Sequence, residues 1–562
     1  MQGRPAHLRR RARVRGLAPD FVCNMTKQRT KSNKSLWVLL GGALLLRLVL
    51  ALVTDGYPYD MSCFVAWGDK LAAEGPAAFY SDGYFADYPP GYLWVLGLVG
   101  AIRAALHIAY ESKWTYFLLA LVPSLCDCGL AWLVYRTAKR SSRGVKEHTA
   151  LVLTAFTAFN PLMLFDTGVW KQIDGAFALP LVLCFVLLEQ RRYLPAAVLY
   201  GVALAIKPQA LLFGPVLAVC YLAAITLEKD RLRAFGRCFG GAALALLPPL
   251  LTGLPFFGVV QLIPKLIDKY TGTMSGYPYA TINAFNWLAA LGGNWAPLDN
   301  TVLLGITWKQ LGFFNILLVT LGPGVPWRRT ACGRAASRRC CLRPITGWAF
   351  LRLAHCMHER YMVPGVLLTL LAAAHWNDIR LYAAGVGLSL TGFINLATVY
   401  SLTGTNDEWL TSATSSTVAV LTGLGETVCF VLLIFAVWDI ARHGHTLALP
   451  ETKPETAPPV PAPQPKWTRR EVGALLALTA ATAVLSFSYL GSRTAPQDPL
   501  DATGTALSES VTLDGSAVSL WVYPGISFGG SMTVTDANGS TVFEKELNYG
   551  TCFSWTANNV QL

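Results

Sequence analysis

Apolar runs of about twenty residues recur along most of this chain, and they constrain its fold more than any other feature. The first extends from Leu36 to Val53, others follow as far as residue 438, and a last one lies at 471–491. About twenty apolar residues cross a bilayer as one helix. Hydrophobic residues make up 53% of the 562 residues and charged residues only 14%, which excludes an ordinary soluble globule. We therefore predict an all-α polytopic membrane protein.

The formal net charge of +13 is explained by short basic segments between these runs. Cytoplasmic loops of membrane proteins carry such an excess of Lys and Arg. A nucleic-acid partner is therefore not expected. The 13 Cys lie mostly inside apolar runs and lack paired CxxC spacing, so the sequence supports neither a disulfide framework nor a zinc site.

Alternation of the basic segments predicts about 12 to 13 transmembrane helices. The segment from Tyr92 to His107 is interpreted as lying along the membrane surface. An additional span there would place the basic cluster after Tyr135 outside. A long outer loop is predicted at 257–300, and further helices are predicted near 302–321, 362–375, 381–399 and 416–438.

The predicted organisation has five parts. They are a basic cytoplasmic N-terminus at 1–35, a transmembrane catalytic domain at 36–445 with an external loop at 55–113, a Pro-rich cytoplasmic linker at 446–470, a final transmembrane helix at 471–491, and an external β-rich tail at 492–562. The tail is assigned from alternating apolar residues with turn signals between them. The first 24 residues have no apolar signal-peptide core, and Met25 is expected to be the natural start.

Residues 322–356 differ from their surroundings, because they contain seven Arg, four Cys and no Asp or Glu where a helix is required. The four Cys lack the spacing of zinc ligands. We interpret the segment as a local reading-frame error, with the authentic frame restored from Met357.

Polar residues gather on the side predicted to be external. They are Asp55, Asp60, Asp87, Lys171, Gln172, Asp174, Lys207, Gln209, His358, Glu359 and Arg360. Ionisable groups at the rim of membrane segments are candidates for function because their burial is costly. Interfacial anchoring and loop solvation are the alternative interpretation.

These residue types suit glycosyl transfer from a lipid phosphate donor. A carboxylate can act as general base on an acceptor hydroxyl, and Lys, Arg or His can neutralise a departing phosphate. Trp67, Tyr88, Tyr92 and Trp170 could stack on sugar rings, although aromatic residues also occur at membrane interfaces without any ligand.

With these residues the chain resembles the multi-spanning glycosyltransferases of the C superfamily (GT-C), which use polyprenyl-phosphate sugars. The likeness is closest to bacterial relatives of the dolichyl-phosphate glucosyltransferases and glycolipid-anchor mannosyltransferases. It rests on an ordered set of segments within residues 36–400: Tyr59-Asp60 with Trp67, Asp87-Tyr88-Pro89-Pro90, Trp170 to Asp174, Lys207-Pro208-Gln209, Tyr277 to Asn286, and His358 to Tyr361.

The resemblance implies an inverting transfer of a mannose- or glucose-like hexose to an extracytoplasmic glycan or glycolipid acceptor, at the plasma membrane, with no cofactor and no metal. Asp60 is then expected to be the catalytic base, with Asp55 as substitute. The residues expected to hold the donor phosphate are Lys207, Gln209, His358 and Arg360. Those expected to shape the sugar and acceptor pocket are Asp87, Tyr88, Trp67, Gln172, Asp174, Glu359 and Tyr361.

Two other functions stay open from sequence. A transporter or flippase of lipid-linked sugars would also need polar residues in the membrane, but it predicts inverted repeats and broken helices. A noncatalytic protein of surface-glycan assembly would tolerate Asp60→Asn, whereas a transferase should lose turnover.

Overall fold

The structure of the protein is a computed structural model. It describes residues 34–81, 84–141, 145–190, 192–227, 230–275, 278–303, 305–321, 357–402, 417–443, 445–447, 517–522, 530–535, 539–547 and 553–558. The predicted linker at 446–470 lies almost entirely outside these residues. The proposed frame error at 322–356, the final helix at 471–491 and the expected start at Met25 lie wholly outside them.

Helices form most of the described structure. In chain order they are α1 Lys34–Val53, α2 Pro58–Glu74, α3 Pro76–Phe79, α4 Pro90–Leu106, α5 Lys113–Arg140, α6 Glu147–Ala158, α7 Pro161–Leu164, a π-helix Phe165–Trp170, α8 Asp174–Glu189, α9 Tyr193–Ile206, a 3₁₀-helix Pro208–Phe213, α10 Gly214–Leu227, α11 Arg231–Ser275, α12 Trp287–Ala290, α13 Trp308–Leu321, α14 Val363–Trp376, α15 Ile379–Leu402 and α16 Thr417–His443.

Six described helical segments are long and apolar enough to cross a membrane. They are Lys34–Val53, Lys113–Arg140, Glu147–Trp170, Leu232–Thr273, Ile379–Leu402 and Thr417–Ile440. Shorter apolar helices accompany them at Pro90–Leu106, Tyr193–Ile206, Pro208–Ala218 and Val363–Trp376. The expected polytopic helical class is thereby confirmed. The count of 12 to 13 spans stays a prediction, because two of them fall on 322–356 and 471–491.

Proline fixes where several helices begin. Pro58, Pro90 and Pro161 each stand in the first turn of their helix, where a missing N–H costs nothing. Pro58 is the most relevant of these because α2 carries Asp60 two residues later. Pro58 thus fixes the start of α2, and with it the position of Asp60 in the first turn.

The first part of the predicted outer loop at 257–300 is helical. Helix α11 continues to Ser275 across a kink at Gly258, whose φ of 63° is accessible to glycine at little cost. Helical geometry is interrupted at Gly258, and the outer part of α11, after Gly258, continues towards the loop that carries Asp87.

Two buried apolar clusters meet beside the candidate site. The larger one includes Trp170 and Met362, and the smaller one includes Trp67 and Tyr88. Many large apolar residues elsewhere are exposed, especially along α11, as expected for helix faces that contact lipid. The polar site is therefore enclosed by two packed regions.

Strands are few and short among the described residues. β1 (Thr281–Ile282) pairs in parallel with β4 (Met357–His358), and β2 (Thr301–Leu303) pairs with β3 (Ile306–Thr307). In the tail, β5 (Ala517–Val522) pairs with β8 (Phe553–Asn558), and β6 (Gly530–Thr535) pairs with β7 (Thr541–Leu547), both antiparallel. The expected β-rich character of the tail is confirmed in these four strands.

Candidate active site

Helix ends and short connections bring the predicted polar residues together. Asp60 lies in the first turn of α2 and Asp174 in the first turn of α8, where the positive end of a helix favours a negative charge. Lys207 directly follows α9. Arg360 follows strand β4. Four segments that are distant in sequence therefore contribute to one site.

Asp60 is held by two donors on the same oxygen. Its Oδ2 accepts hydrogen bonds from Trp170 Nε1 at 2.5 Å and from Gln172 Nε2 at 2.6 Å. Its Oδ1 lies 4.0 Å from a terminal guanidinium nitrogen of Arg360. The carboxylate is thus fixed on one side and faces a cation on the other.

Lys207 and Asp174 form a buried ion pair. Lys207 Nζ lies 2.8 Å from Asp174 Oδ1, and both side chains are almost fully buried. Asp174 Oδ2 has no hydrogen-bond partner among the described residues, and it lies 3.9 Å from Arg360 Nε, which also lacks one there. Both atoms therefore keep the capacity for a hydrogen bond to a polar ligand.

Arg360 is surrounded by carboxylates. Glu359 Oε1 accepts from Arg360 Nη1 at 2.6 Å. Burial by itself would lower the pKa of Arg360. The carboxylates of Asp60 and Glu359 raise it by more than this, so the pKa lies well above its usual value. Burial raises the pKa of Glu359, and Arg360 offsets part of that rise. Arg360 is therefore a permanent cation beside a carboxyl group whose pKa is raised.

Gln172 connects Asp60 to Lys207. While its amide nitrogen donates to Asp60, its Oε1 accepts from Tyr88 OH at 3.3 Å and from Lys207 Nζ at 3.5 Å. Lys207 also lies 5.6 Å from the centre of the Tyr88 ring. Gln209 follows on the 3₁₀-helix, and its buried Oε1 has no hydrogen-bond partner among the described residues.

The loop with Asp87 and Tyr88 is fastened from two sides. Thr273 Oγ1 donates to the Asp87 carbonyl at 2.8 Å, and Lys269 donates to the Ala86 carbonyl, so the outer part of α11 holds the loop. Trp67 Nε1 donates to the Phe85 carbonyl at 2.9 Å. Trp67 is buried and packs beneath this loop, so its ring is not open to a sugar as the sequence suggested it could be.

Burial raises the pKa of the Asp87 side chain, although Arg360 and Lys269 oppose the rise. Burial likewise raises the pKa of Tyr88 well above its usual value. A protonated Asp87 and a neutral Tyr88 would offer hydrogen bonds to hydroxyl groups without adding charge. This suits contact with a sugar more than contact with a phosphate.

His358 and Tyr361 complete one wall. Their rings lie 5.1 Å apart, and β4 pairs His358 with Ile282 of β1. Burial, with Arg360 and Lys207 nearby, lowers the pKa of His358 well below its usual value. His358 is therefore neutral at neutral pH, and it can offer a hydrogen bond but not a charge to a phosphate.

Asp55 stands apart from this cluster. It is exposed, and its electrostatic neighbours include Lys171, Tyr116 and Tyr400. Lys171 itself is fully buried and donates to the Thr54 carbonyl at 2.8 Å and to Thr54 Oγ1 at 2.7 Å. The geometry thus favours Asp60 over Asp55 for contact with Arg360.

Sequence reasoning missed a buried polar support below the site. Arg47 Nε lies 3.0 Å from Asp127 Oδ2, which also accepts from Thr167 Oγ1 at 2.8 Å. Asp166, on the same π-helix as Thr167, is buried with neither carboxylate oxygen hydrogen-bonded among the described residues. The signal was available, since Arg47 and Asp127 are single charges within apolar runs.

Possible metal ligands do not cluster among the described residues. In the part of the chain that the structure describes, no group of three or more His, Cys, Asp or Glu side chains could hold a metal ion. The expectation that no metal takes part stays a prediction for experiment.

Comparison with known proteins agrees with the resemblance. Residues 85–342, just under half of the chain, match the model of glycosyltransferase family 87. This range includes the site residues from Asp87 to Gln209, but neither Asp60 nor His358 to Tyr361.

Among solved structures, the crystal structure of ArnT from Cupriavidus metallidurans bound to undecaprenyl phosphate is similar to this chain. Its TM-score is 0.39 at 14% sequence identity, over 73% of this chain and 78% of that one. No curated protein matches the chain in sequence. The chain is thus a multi-pass membrane protein whose residues 85–342 are similar to glycosyltransferase family 87.

Proposed function

We propose that this protein transfers a hexose, mannose- or glucose-like, from a polyprenyl-phosphate donor to a glycan or glycolipid acceptor, with inversion at the anomeric carbon. The proposed location is the plasma membrane, with the site on its extracytoplasmic face. Asp60 is the proposed general base, and no cofactor or metal takes part.

One observation carries the proposal: the Asp60 carboxylate shares a site with two cations, the buried Lys207 and the partly buried Arg360. Asp60 Oδ1 lies 4.0 Å from Arg360, and Gln172 bridges from Asp60 Oδ2 to Lys207. A base and phosphate-binding cations are the two functions that such a transfer needs side by side.

The reaction would be a single displacement. The acceptor hydroxyl gives its proton to Asp60, and its oxygen forms the bond to the anomeric carbon. The bond from that carbon to the phosphate oxygen breaks, and the polyprenyl phosphate leaves with the electron pair. Attack opposite the leaving group inverts the configuration at this carbon.

The charges are suited to the leaving phosphate. Arg360 retains a donor, Nε–H, that no described residue accepts, and Lys207 is held rigidly by Asp174. Glu359 and Asp87 have raised pKa values, which reduces the negative charge that a phosphate would meet. Preorganised donors of this kind stabilise developing charge without reorganisation.

The membrane supports a lipid-linked donor. The site is built at helix ends, and the basic segments predict that these ends face away from the cytoplasm. A donor whose lipid lies in the bilayer would present its phosphate at this level. Mannose or glucose, rather than another hexose, follows only from the family resemblance.

The test is sugar transfer by the purified protein with a panel of polyprenyl-phosphate hexoses, with and without EDTA, for the wild type and Asp60→Asn. The proposal expects turnover that is insensitive to EDTA, an inverted product, and a loss of about 10²- to 10⁴-fold in the variant. Full turnover in Asp60→Asn would reject Asp60 as base. Folded wild type that moves lipid-linked sugars across vesicles without transferring them would favour a flippase.

A further inference from the structure

Two donors converge on a single oxygen of Asp60, so the two carboxylate oxygens have different surroundings. Trp170 and Gln172 occupy Oδ2 at 2.5 and 2.6 Å. Among the described residues, Oδ1 has only the longer contact to Arg360, at 4.0 Å. A carboxylate held in this way cannot exchange its oxygens by rotation without breaking two charge-assisted hydrogen bonds.

The indole donor is rigidly supported. Trp170 is fully buried, and its ring stacks on Tyr57 with centroids 4.1 Å apart and planes 17° apart. The Tyr57 amide also donates to the Trp170 carbonyl at 3.1 Å. Since Tyr57 immediately precedes α2, the same contact sets the position of the helix that bears Asp60.

The amide donor is oriented by its own oxygen. Gln172 Oε1 accepts from Tyr88 OH, Lys207 Nζ and the amide of Ile173, so this end of the side chain must be the carbonyl. The NH₂ end is thereby directed at Asp60. No rearrangement of the amide can satisfy both sides equally well.

The backbone explains how residues 170 and 172 reach one atom. Trp170 ends the π-helix, and Lys171 then adopts a left-handed conformation with a φ of 67°. Side chains two apart on a regular helix point about 200° apart. The left-handed residue turns the chain so that both side chains face Asp60. Such a conformation is unfavourable for lysine and needs support from its surroundings.

We propose that Trp170 and Gln172 are positioning residues that reserve Oδ1 of Asp60 as the atom which takes the acceptor proton. This inference rests on the proposed function of Asp60 as base. Before the transfer, Trp170 and Gln172 stabilise the negative charge on Oδ2. The proton of the acceptor hydroxyl then moves to Oδ1, which neutralises the carboxylate, and both donors keep their own protons. Neither residue contacts the reacting atoms.

The expected consequence is a loss in kcat with little change in KM. Without the indole N–H the carboxylate is freer to rotate, and its charged form loses a hydrogen bond. We expect kcat to fall about 10- to 100-fold in Trp170→Phe and in Gln172→Met. The acid limb of the kcat profile should also move to higher pH, because loss of a donor to the anion favours its protonation.

The experiment compares Trp170→Phe and Gln172→Met with Trp94→Phe. Trp94 also donates through its indole nitrogen, to the Thr252 carbonyl at 3.2 Å, but it is half-exposed and its partner belongs to α11. If Trp170→Phe does not fold, replacement of Trp170 by benzothienylalanine removes the N–H and keeps the ring size. An acid limb that moves only in the variants at 170 and 172 supports the inference.

Two results would overturn it. One is a Trp170 variant with the kcat and pH profile of wild type while Asp60→Asn is inactive; if instead Asp60→Asn is active, the proposed base itself fails. The other is independent of turnover: the ¹⁵N–H resonance of the Trp170 indole, assigned by its loss in Trp170→Phe, should shift in Asp60→Leu. An unchanged resonance means that the hydrogen bond is not formed in the protein.

Discussion

Gly100 of α4 and Gly68 of α2 bring the two helices into backbone contact. A Cβ on Gly100 would lie 2.2 Å from the Gly68 carbonyl oxygen, and one on Gly68 would lie 2.6 Å from the Leu96 carbonyl oxygen. Backbone atoms cannot withdraw as a flexible side chain can. Helix α2, which bears Asp60, is therefore positioned by contacts that tolerate no side chain.

Gly100→Ala should separate these helices, lower stability by about 1–3 kcal/mol and reduce turnover. The measurement is the apparent Tm in detergent together with kcat. Gly41→Ala on α1 is the matched control, since a Cβ there meets nothing within 4 Å. Equal effects of the two substitutions would contradict the proposed close contact.

Lys207→Met should leave Asp174 buried without its cation and lower stability by about 3–5 kcal/mol. The double variant Lys207→Met with Asp174→Leu should recover much of that stability, because no charge is left unpaired, yet remain inactive. Apparent Tm and turnover of the three proteins decide the point. A double variant that regains turnover would show that the pair is only structural.

Glu359→Gln should bind a polyprenyl phosphate more tightly than wild type does. As pH rises, Glu359 loses its proton and its carboxylate competes for Arg360, so anion affinity of the wild type should fall. The Gln variant should lack this part of the pH dependence. Titration calorimetry with a short-chain polyprenyl phosphate measures it, with Glu359→Asp as the control that keeps the charge.

Lys171→Met should change how stability depends on pH. Burial lowers the pKa of Lys171 to about 7, although Asp55 opposes the shift. In the unfolded chain lysine titrates near pH 10.4, so between about pH 7 and 10 the unfolded state binds more protons and stability rises with pH. The wild type should therefore gain more in apparent Tm from pH 7 to 9 than the variant. Parallel curves would contradict the shift.

The sequence predicted the class of fold and much of the polar set. Asp174, Lys207, Gln172 and Arg360 were grouped by their expected side of the membrane, and the structure places them in mutual contact. Their catalytic roles stay predictions. Grouping succeeded because membrane burial makes polar residues conspicuous among apolar ones.

The sequence did not predict which polar side chains contact each other, nor the local backbone geometry. Apolar periodicity showed Arg47 and Asp127 as isolated charges but not that they meet across 80 residues. Trp170 was considered for sugar stacking or as an interfacial aromatic residue, whereas its ring is buried and its N–H donates to Asp60. The loop predicted at 257–300 begins with a helical segment, because α11 resumes after Gly258.

The π-helix makes the site depend on the number of residues as well as on their identity. Six residues, Phe165–Trp170, complete that wider turn. Deletion of one of them while the turn keeps its width would rotate the next residues of the chain by roughly a quarter of a turn. Trp170-Lys-Gln-Ile-Asp174 would still read correctly in such a gene, yet its indole would no longer meet Asp60. A relative could therefore keep every recognisable motif and still have lost the arrangement that makes them act together.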